Sequence, residues 1–290
     1  MMSGKKAVFP VAGLGTRFRP VTSVVPKEML PVVDKPLIDY AIEEAVDAGV
    51  SDLIFVVSPD KDIIVKYLSD KDNIEAIFEG KGNGNEASRL NIEFVFQNEP
   101  LGLGHAILCA QEAVGVDPFA VLLPDDLVVS EVSCLAQMVD KYREVGGNFI
   151  AVVEVEPQQT HMYGILKVDE YPNGLLKVAA MVEKPSIEKA PSNFAIVGRY
   201  ILDAGIFETL RQQRAGSGGE IQLTEAMDTL LLQQDFYGLR FSGVRYDCGE
   251  KVGLLEANIA CFLGRPDLSM RAQKAVERFV LSSLENGEDK

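Results

Sequence analysis

The chain has 290 residues, 47% hydrophobic and 24% charged, an ordinary globular balance that excludes a disordered chain. No apolar run approaches the ~20 residues of a bilayer span, and MMSGKK leads straight into a strand with no signal-peptide core, so neither a membrane span nor secretion is predicted. With 28 Lys and Arg against 43 Asp and Glu, the net charge is −15. That argues against general nucleic-acid binding and requires cations gathered locally around any anionic ligand.

The first element is a buried strand over Val8–Val11, followed by a loop with Gly13 and Gly15 and the cations Arg17, Arg19, Lys27 and Lys35. A helix is predicted over 36–48, stopped by Gly49, and a strand over 53–57 whose continuous apolar run fits burial on both faces. Then come a helix over 60–68, a flexible break over 81–88, a strand over 92–96, a helix over 104–114 and a third apolar strand over 119–123 that ends in Pro124-Asp125-Asp126. A helix over 132–144 and a strand over 149–155 complete the alternation, which predicts an α/β fold: a Rossmann-like, doubly wound, mostly parallel sheet with ligands at the strands' carboxyl ends.

After residue 160 the pattern changes. Segments 164–168 and 176–182 flank Pro-Asn-Gly and read as an inserted β-hairpin, followed by a strand over 195–201. A helix over 203–212, a loop over 216–219, a helix over 221–233 and one strand over 239–246 come next. Closing helices over 250–262 and 268–281 end the chain, with a polar, frayed tail from Glu285. One domain is expected, with a nucleotide-binding part over about 5–155 and a sugar-phosphate-binding part over about 156–285. Cys109, Cys134, Cys248 and Cys261 are widely spaced with no CxxC pair, which predicts a reduced, cytoplasmic protein without a zinc or disulfide framework.

GLGTRF fails as a dinucleotide fingerprint, because Phe18 occupies the last glycine position and Pro20 prevents an immediate helix. It fails as a Walker A loop too, having no Gly-Lys-Ser/Thr. Backbone N–H groups of such a loop still suit phosphate, and the clustered cations suit a polyphosphate. Arg19 reads as a solvated cation.

The longer string, GLGTR followed ten residues after Arg17 by Lys27 in PKEMLPVVDKP, resembles the sugar-phosphate nucleotidylyltransferases, and among them the bacterial UTP–glucose-1-phosphate uridylyltransferases. Gln97 with GLGHA (102–106), LPDD (123–126), Tyr163-Gly164, VEKP (182–185), VGRY (197–200), EIQLT (220–224) and YDCG (246–249) follow in the family's order. The likeness covers residues 5 to 260. It implies transfer from UTP to glucose 1-phosphate, giving UDP-glucose and pyrophosphate, by a homo-oligomer (dimer or tetramer). Arg17 would hold the β,γ-phosphates, Lys27 would bridge the phosphates, and Lys184 would hold the sugar phosphate. Ala12, Gly13, Gly15, Thr16, Glu28, Gln97 and Gly102 would bind the nucleotide, and Gly164, Glu183 and Gly198 the sugar. Mg²⁺ would sit on Asp125, with the adjacent Asp126 an alternative ligand. Asp247 is either a second metal carboxylate or a cap for the helix from Glu250. His105 either touches phosphate or packs.

The implied reaction fits these residue types. An ionised sugar phosphate attacks phosphorus without a general base, and the obstacle is repulsion between anions. Each like-charge contact at ~4 Å costs about 4 kcal/mol at an effective dielectric of ~20, so positioning and charge neutralisation dominate. Three departures from the family pattern stand out: Ser23 and Phe96 in place of common cations, and Gly219 in place of a common acid. A dTTP-using thymidylyltransferase and a non-catalytic regulatory relative are the alternatives. PKEMLP and GLGHA favour UTP over dTTP, and the presence of Arg17, Lys27, Asp125 and Lys184 opposes the regulatory reading.

Overall fold

Each expected apolar run forms a strand, and alternate residues of those strands feed two cores. The computed structural model describes residues 6–78, 87–170, 172–213 and 219–285. In chain order its elements are β1 (Lys6–Pro10), β2 (Pro31–Val32), β3 (Lys35–Pro36), α1 (Leu37–Asp47), β4 (Asp52–Val57), α2 (Asp62–Ser69), α3 (Lys71–Ile77), β5 (Asn91–Phe96), α4 (Leu103–Cys109) and α5 (Gln111–Val114). Then follow β6 (Phe119–Leu122), β7 (Asp126–Val129), α6 (Cys134–Val145), β8 (Asn148–Glu154), β9 (Gly164–Glu170), β10 (Leu175–Glu183) and β11 (Phe194–Leu202). The last are α7 (Ile206–Gln212), α8 (Leu223–Leu230), β12 (Phe236–Arg240), β13 (Val244–Asp247), α9 (Lys251–Gly264) and α10 (Ser269–Glu285). Most of the breaks expected over 81–88 and 216–219, and the tail beyond Glu285, lie outside the described residues.

Nine strands form one sheet in the order β5-β4-β1-β6-β11-β8-β12-β10-β9. Ala7 and Phe9 pack with α1 and α6 on one face, while Val8 packs with α4, α7 and α8 on the other. Burial on both faces explains why β1, β4 and β6 read as unbroken apolar runs. The parallel character is concentrated in β5-β4-β1-β6, whose carboxyl ends therefore share one edge. Beyond β6 the sheet is mixed, because β11 runs antiparallel to both β6 and β8. The β9–β10 hairpin forms as expected. A register shift between Val178 and Ala180 bends it, and its far end returns to β11, where Ile165 pairs with Ala195. That closure brings the end of β10 to the edge where β1, β5 and β6 end.

One predicted strand is two. Over 239–246 the chain leaves the large sheet after Arg240, turns at Gly243 (φ 149°) and restarts as β13, paired with β7. Glycine is required there, since a Cβ would lie 2.8 Å from Ser130 Cβ. The helix predicted over 221–233 begins only at Leu223, because Ile221 bridges to Leu101 and Gly104 through its backbone. The helix predicted over 104–114 is divided at Ala110.

Candidate active site

The loop after β1 is a series of single 3₁₀ turns, at Thr16–Phe18, Val21–Ser23 and Lys27–Met29. Gly15 sits at φ 61°, and its carbonyl accepts from Thr22 Oγ1 at 2.7 Å. Beneath the loop, Glu28 is wholly buried. Lys61 Nζ donates to Glu28 Oε2 at 2.9 Å and to Val11 O at 2.6 Å, tying the end of β1 to the turn that carries Lys27. Glu28 was expected to meet the nucleotide. Instead it supports the site from below, with no exposed surface to offer a ligand.

Ala12, Gly13, Gly15, Thr16, Lys27, Gln97, Gly102 and Asp125 surround one cavity of about 400 Å³, with Glu220 and Leu103 among the further lining residues. Lys27 Nζ donates to Asp125 Oδ2 at 2.6 Å. Burial alone would lower the Lys27 pKa, but Asp125 and Glu28 outweigh it and raise it. Burial would likewise raise Asp125, and Lys27 outweighs it, holding the carboxyl below its ordinary value. Gly102 (φ 96°) leaves no room for a side chain, since a Cβ would lie 2.9 Å from Glu220 Cβ and 3.1 Å from Ile221 O.

Arg17 and Asp247 adjoin this cavity at Gly249. A Cβ built there would lie 2.9 Å from Asp247 Oδ1, 3.1 Å from Asp125 Oδ2 and 3.4 Å from Arg17 Nη1. Glycine thus keeps open a space on which two carboxylates and a guanidinium converge. The register Asp126↔Asp247 between β7 and β13 brings Asp247 there. Asp247 also caps locally, accepting from Gly249 N at 3.0 Å, but the helix that follows takes no side-chain cap. Asp126 is differently placed. Its Oδ2 accepts from Gly198 N at 2.8 Å and its Oδ1 from Arg245, so both oxygens are engaged inside the protein. Burial pushes the Asp126 carboxyl up, against the pull of Arg245.

Of the residues expected to hold the sugar phosphate, Gly164, Glu183 and Lys184 form a second cluster. Glu183 faces Gly164 across the hairpin, and its Oε2 accepts from Thr224 Oγ1 at 2.7 Å. Lys184 is exposed, 3.5 Å from Glu183 Oε1, and adopts φ 45°. Such a backbone angle on a non-glycine residue costs roughly 1–3 kcal/mol and concentrates at functional sites. Tyr163 links the clusters: its carbonyl accepts from Lys184 N at 3.0 Å and its hydroxyl donates to Asp247 Oδ2 at 3.4 Å. Gly198 does not join them. Its N–H is taken by Asp126 and its carbonyl by Leu123 N and Arg199, so it serves close packing in place of the expected sugar contact.

Neither Arg245 nor the buried Glu44–Arg199 pair is legible in the sequence as part of this frame. Arg245 spans Asp126, Asp247 (3.2 Å) and the Tyr163 hydroxyl (3.1 Å). Arg199 donates to Glu44 and to Leu123 O, anchoring the loop that bears Asp125. VGRY marks Arg199 as a motif member without revealing a structural role, and for Arg245 its place just before YDCG was the single signal.

The nucleotidyl transferase family model matches residues 6–261. The chain belongs to the nucleotidyl transferase family. A UTP–glucose-1-phosphate uridylyltransferase of Staphylococcus saprophyticus is 44% identical over 265 residues, covering 89% of this chain and 92% of the relative. A UDP-glucose pyrophosphorylase solved in complex with UDP-glucose matches with TM-score 0.83 and 39% identity, over 90% of this chain and all of that one. A UTP-bound UGPase from Acinetobacter baumannii matches with TM-score 0.80 and 38% identity, over 94% and 98% of the two chains.

Proposed function

We propose that this nucleotidyltransferase carries a uridylyl group from UTP to glucose 1-phosphate, giving UDP-glucose and pyrophosphate. The observation that carries the reading is the convergence at Gly249 of Asp125, Asp247 and Arg17, beside Lys27 and next to the cavity that Asp125 and Gln97 line. A base at Gln97 puts a triphosphate along Gly13–Thr16 and toward Lys27 and Arg17. Lys184, at the closing end of the hairpin, holds the phosphate of the sugar, and Glu183 accepts from sugar hydroxyls.

The sugar phosphate is the nucleophile. One of its oxygens forms a bond to the α-phosphorus as the bond to the β-phosphate oxygen breaks, and pyrophosphate leaves toward Arg17. Lys27 offsets charge at the bridging phosphates, and Lys184 orients the attacking group. Asp125 and Asp247 suit Mg²⁺: both are hard oxygen donors, glycine leaves space between them, and phosphate oxygens and water complete such sites. Bound there, the ion would supply further neutralisation of phosphate charge.

The chain is read as one domain acting in the cytoplasm, a placement supported by four free cysteines. It is also read as a homo-oligomer, because Val252 and Leu255 of α9 and Met270 and Phe279 of α10 present apolar surface to solvent. The activity is tested by pyrophosphate release from UTP and glucose 1-phosphate with Mg²⁺ present and then chelated. Release that needs both substrates and stops on chelation is expected. Release that persists after chelation would remove the metal from this reading.

A further inference from the structure

Gln97 is buried at the cavity wall, and its amide is oriented by two independent acceptors. Nε2 donates to Gly102 O at 3.1 Å and lies 3.0 Å from His105 Nδ1. A carbonyl can only accept, so Gly102 alone demands the NH₂ group on that side. His105 Nδ1 must then accept as well, which places the ring proton on Nε2. Nε2 faces Cys109 Sγ at 3.8 Å, one helical turn along α4, where the sulfur is a weak acceptor. The donors therefore run one way along the chain, from His105 to Cys109 and from Gln97 to His105. The one polar side-chain atom of Gln97 outside this chain is Oε1, an acceptor.

We propose that His105 is a positioning residue that sets the hydrogen-bond polarity of the base subsite, and through it the preference for a pyrimidine carrying N3–H. The proposal rests on the reading of Gln97 as the residue that meets the base. Uracil presents a donor at N3, which Oε1 accepts. Cytosine presents a lone pair at N3, which Oε1 opposes. The amide cannot turn to suit cytosine without directing Oε1 at both Gly102 O and His105 Nδ1. Removing the histidine acceptor removes half of that restraint.

The test compares kcat/KM for UTP and CTP, with glucose 1-phosphate as acceptor, in the full-length protein and its His105→Leu, His105→Asn, Gln97→Leu and doubly leucine-substituted variants. In H105L the UTP-over-CTP ratio should fall about tenfold, as expected for loss of one oriented buried hydrogen bond. The change should lie mainly in KM for UTP, with KM for glucose 1-phosphate unmoved. H105N retains an acceptor and should keep most of the ratio, and H105L should cost nothing further in the Q97L background. A ratio that survives in H105L but collapses in Q97L overturns the role of His105. A ratio that survives in Q97L overturns the underlying reading of Gln97 and the proposal with it. A second measurement needs no variant. The chain has two histidines, so ¹⁵N-histidine labelling reports the His105 tautomer directly. Protonation on Nε2 is expected, and a proton on Nδ1 overturns the relay.

Discussion

Lys27 Nζ lies 2.6 Å from Asp125 Oδ2, so the cation and the carboxylate proposed to act on the phosphates neutralise each other in the free protein. Each is held in its charged form by the other against the cost of burial. Lys27→Met should lower kcat by about 10²–10³, the loss typical of one oriented transition-state donor. It should also destabilise the fold in a pH-dependent way. A carboxyl whose folded pKa is depressed contributes stability above its unfolded pKa, and that contribution disappears as pH falls through the folded value. The deficit of K27M should therefore be full at pH 7 and shrink below about pH 4. Thermal melts across that range, with steady-state rates, check both outcomes.

Gly249→Ala tests the cradle between the carboxylates. The added methyl would sit 2.9 Å from Asp247 Oδ1 and 3.1 Å from Asp125 Oδ2, in the space assigned to the ion. The Mg²⁺ concentration for half-maximal rate should rise about tenfold or more, a shift of roughly 1.4 kcal/mol. An unchanged midpoint in a folded variant would move the metal elsewhere.

Lys184 carries strain at φ 45° and stands exposed beside Glu183. Lys184→Gly should relieve the backbone and raise stability by up to about 1 kcal/mol, while KM for glucose 1-phosphate rises far more than KM for UTP. Melting temperature and the two KM values separate these effects. Equal losses for both substrates would contradict the assigned role.

Asp39, on α1, is buried, with Oδ2 accepting from Tyr67 at 2.8 Å and Oδ1 without a partner. Burial, against the pull of Tyr67 and Lys35, raises its pKa to about 6. A folded pKa above the unfolded value means that stability falls as pH rises from about 4 to about 6 and stays lowered beyond. Asp39→Asn should stabilise at pH 7 by on the order of 2 kcal/mol, about 3 °C in Tm for a chain of this size, and give no advantage near pH 4. Melts of both proteins at the two pH values decide it.

That Gly13, Gln97 and Asp125 gather at one cavity was legible because the signals are local. Gly13, Gln97 and Asp125 each follow an apolar run, and parallel pairing along β5-β4-β1-β6 places such strand ends on one edge. What escaped depends on distant partners. The four-residue strands β7 and β13 have no periodicity to read, yet their register sets Asp126 opposite Asp247. The burial of Glu28 depends on Lys61, 33 residues away, and the engagement of Gly198 on Asp126, 72 residues away. Motif membership marked these residues as important without distinguishing a ligand contact from the frame beneath it.

Uridylyl transfer is tested most directly by kcat/KM for UTP and for dTTP side by side, with glucose 1-phosphate as acceptor and pyrophosphate release as readout. Both bases carry N3–H, so Gln97 in its proposed role would accept either, and discrimination would fall to the rest of the cavity lining, which includes Gly102, Leu103 and Glu220. A clear preference for UTP is predicted, and a preference for dTTP would contradict it.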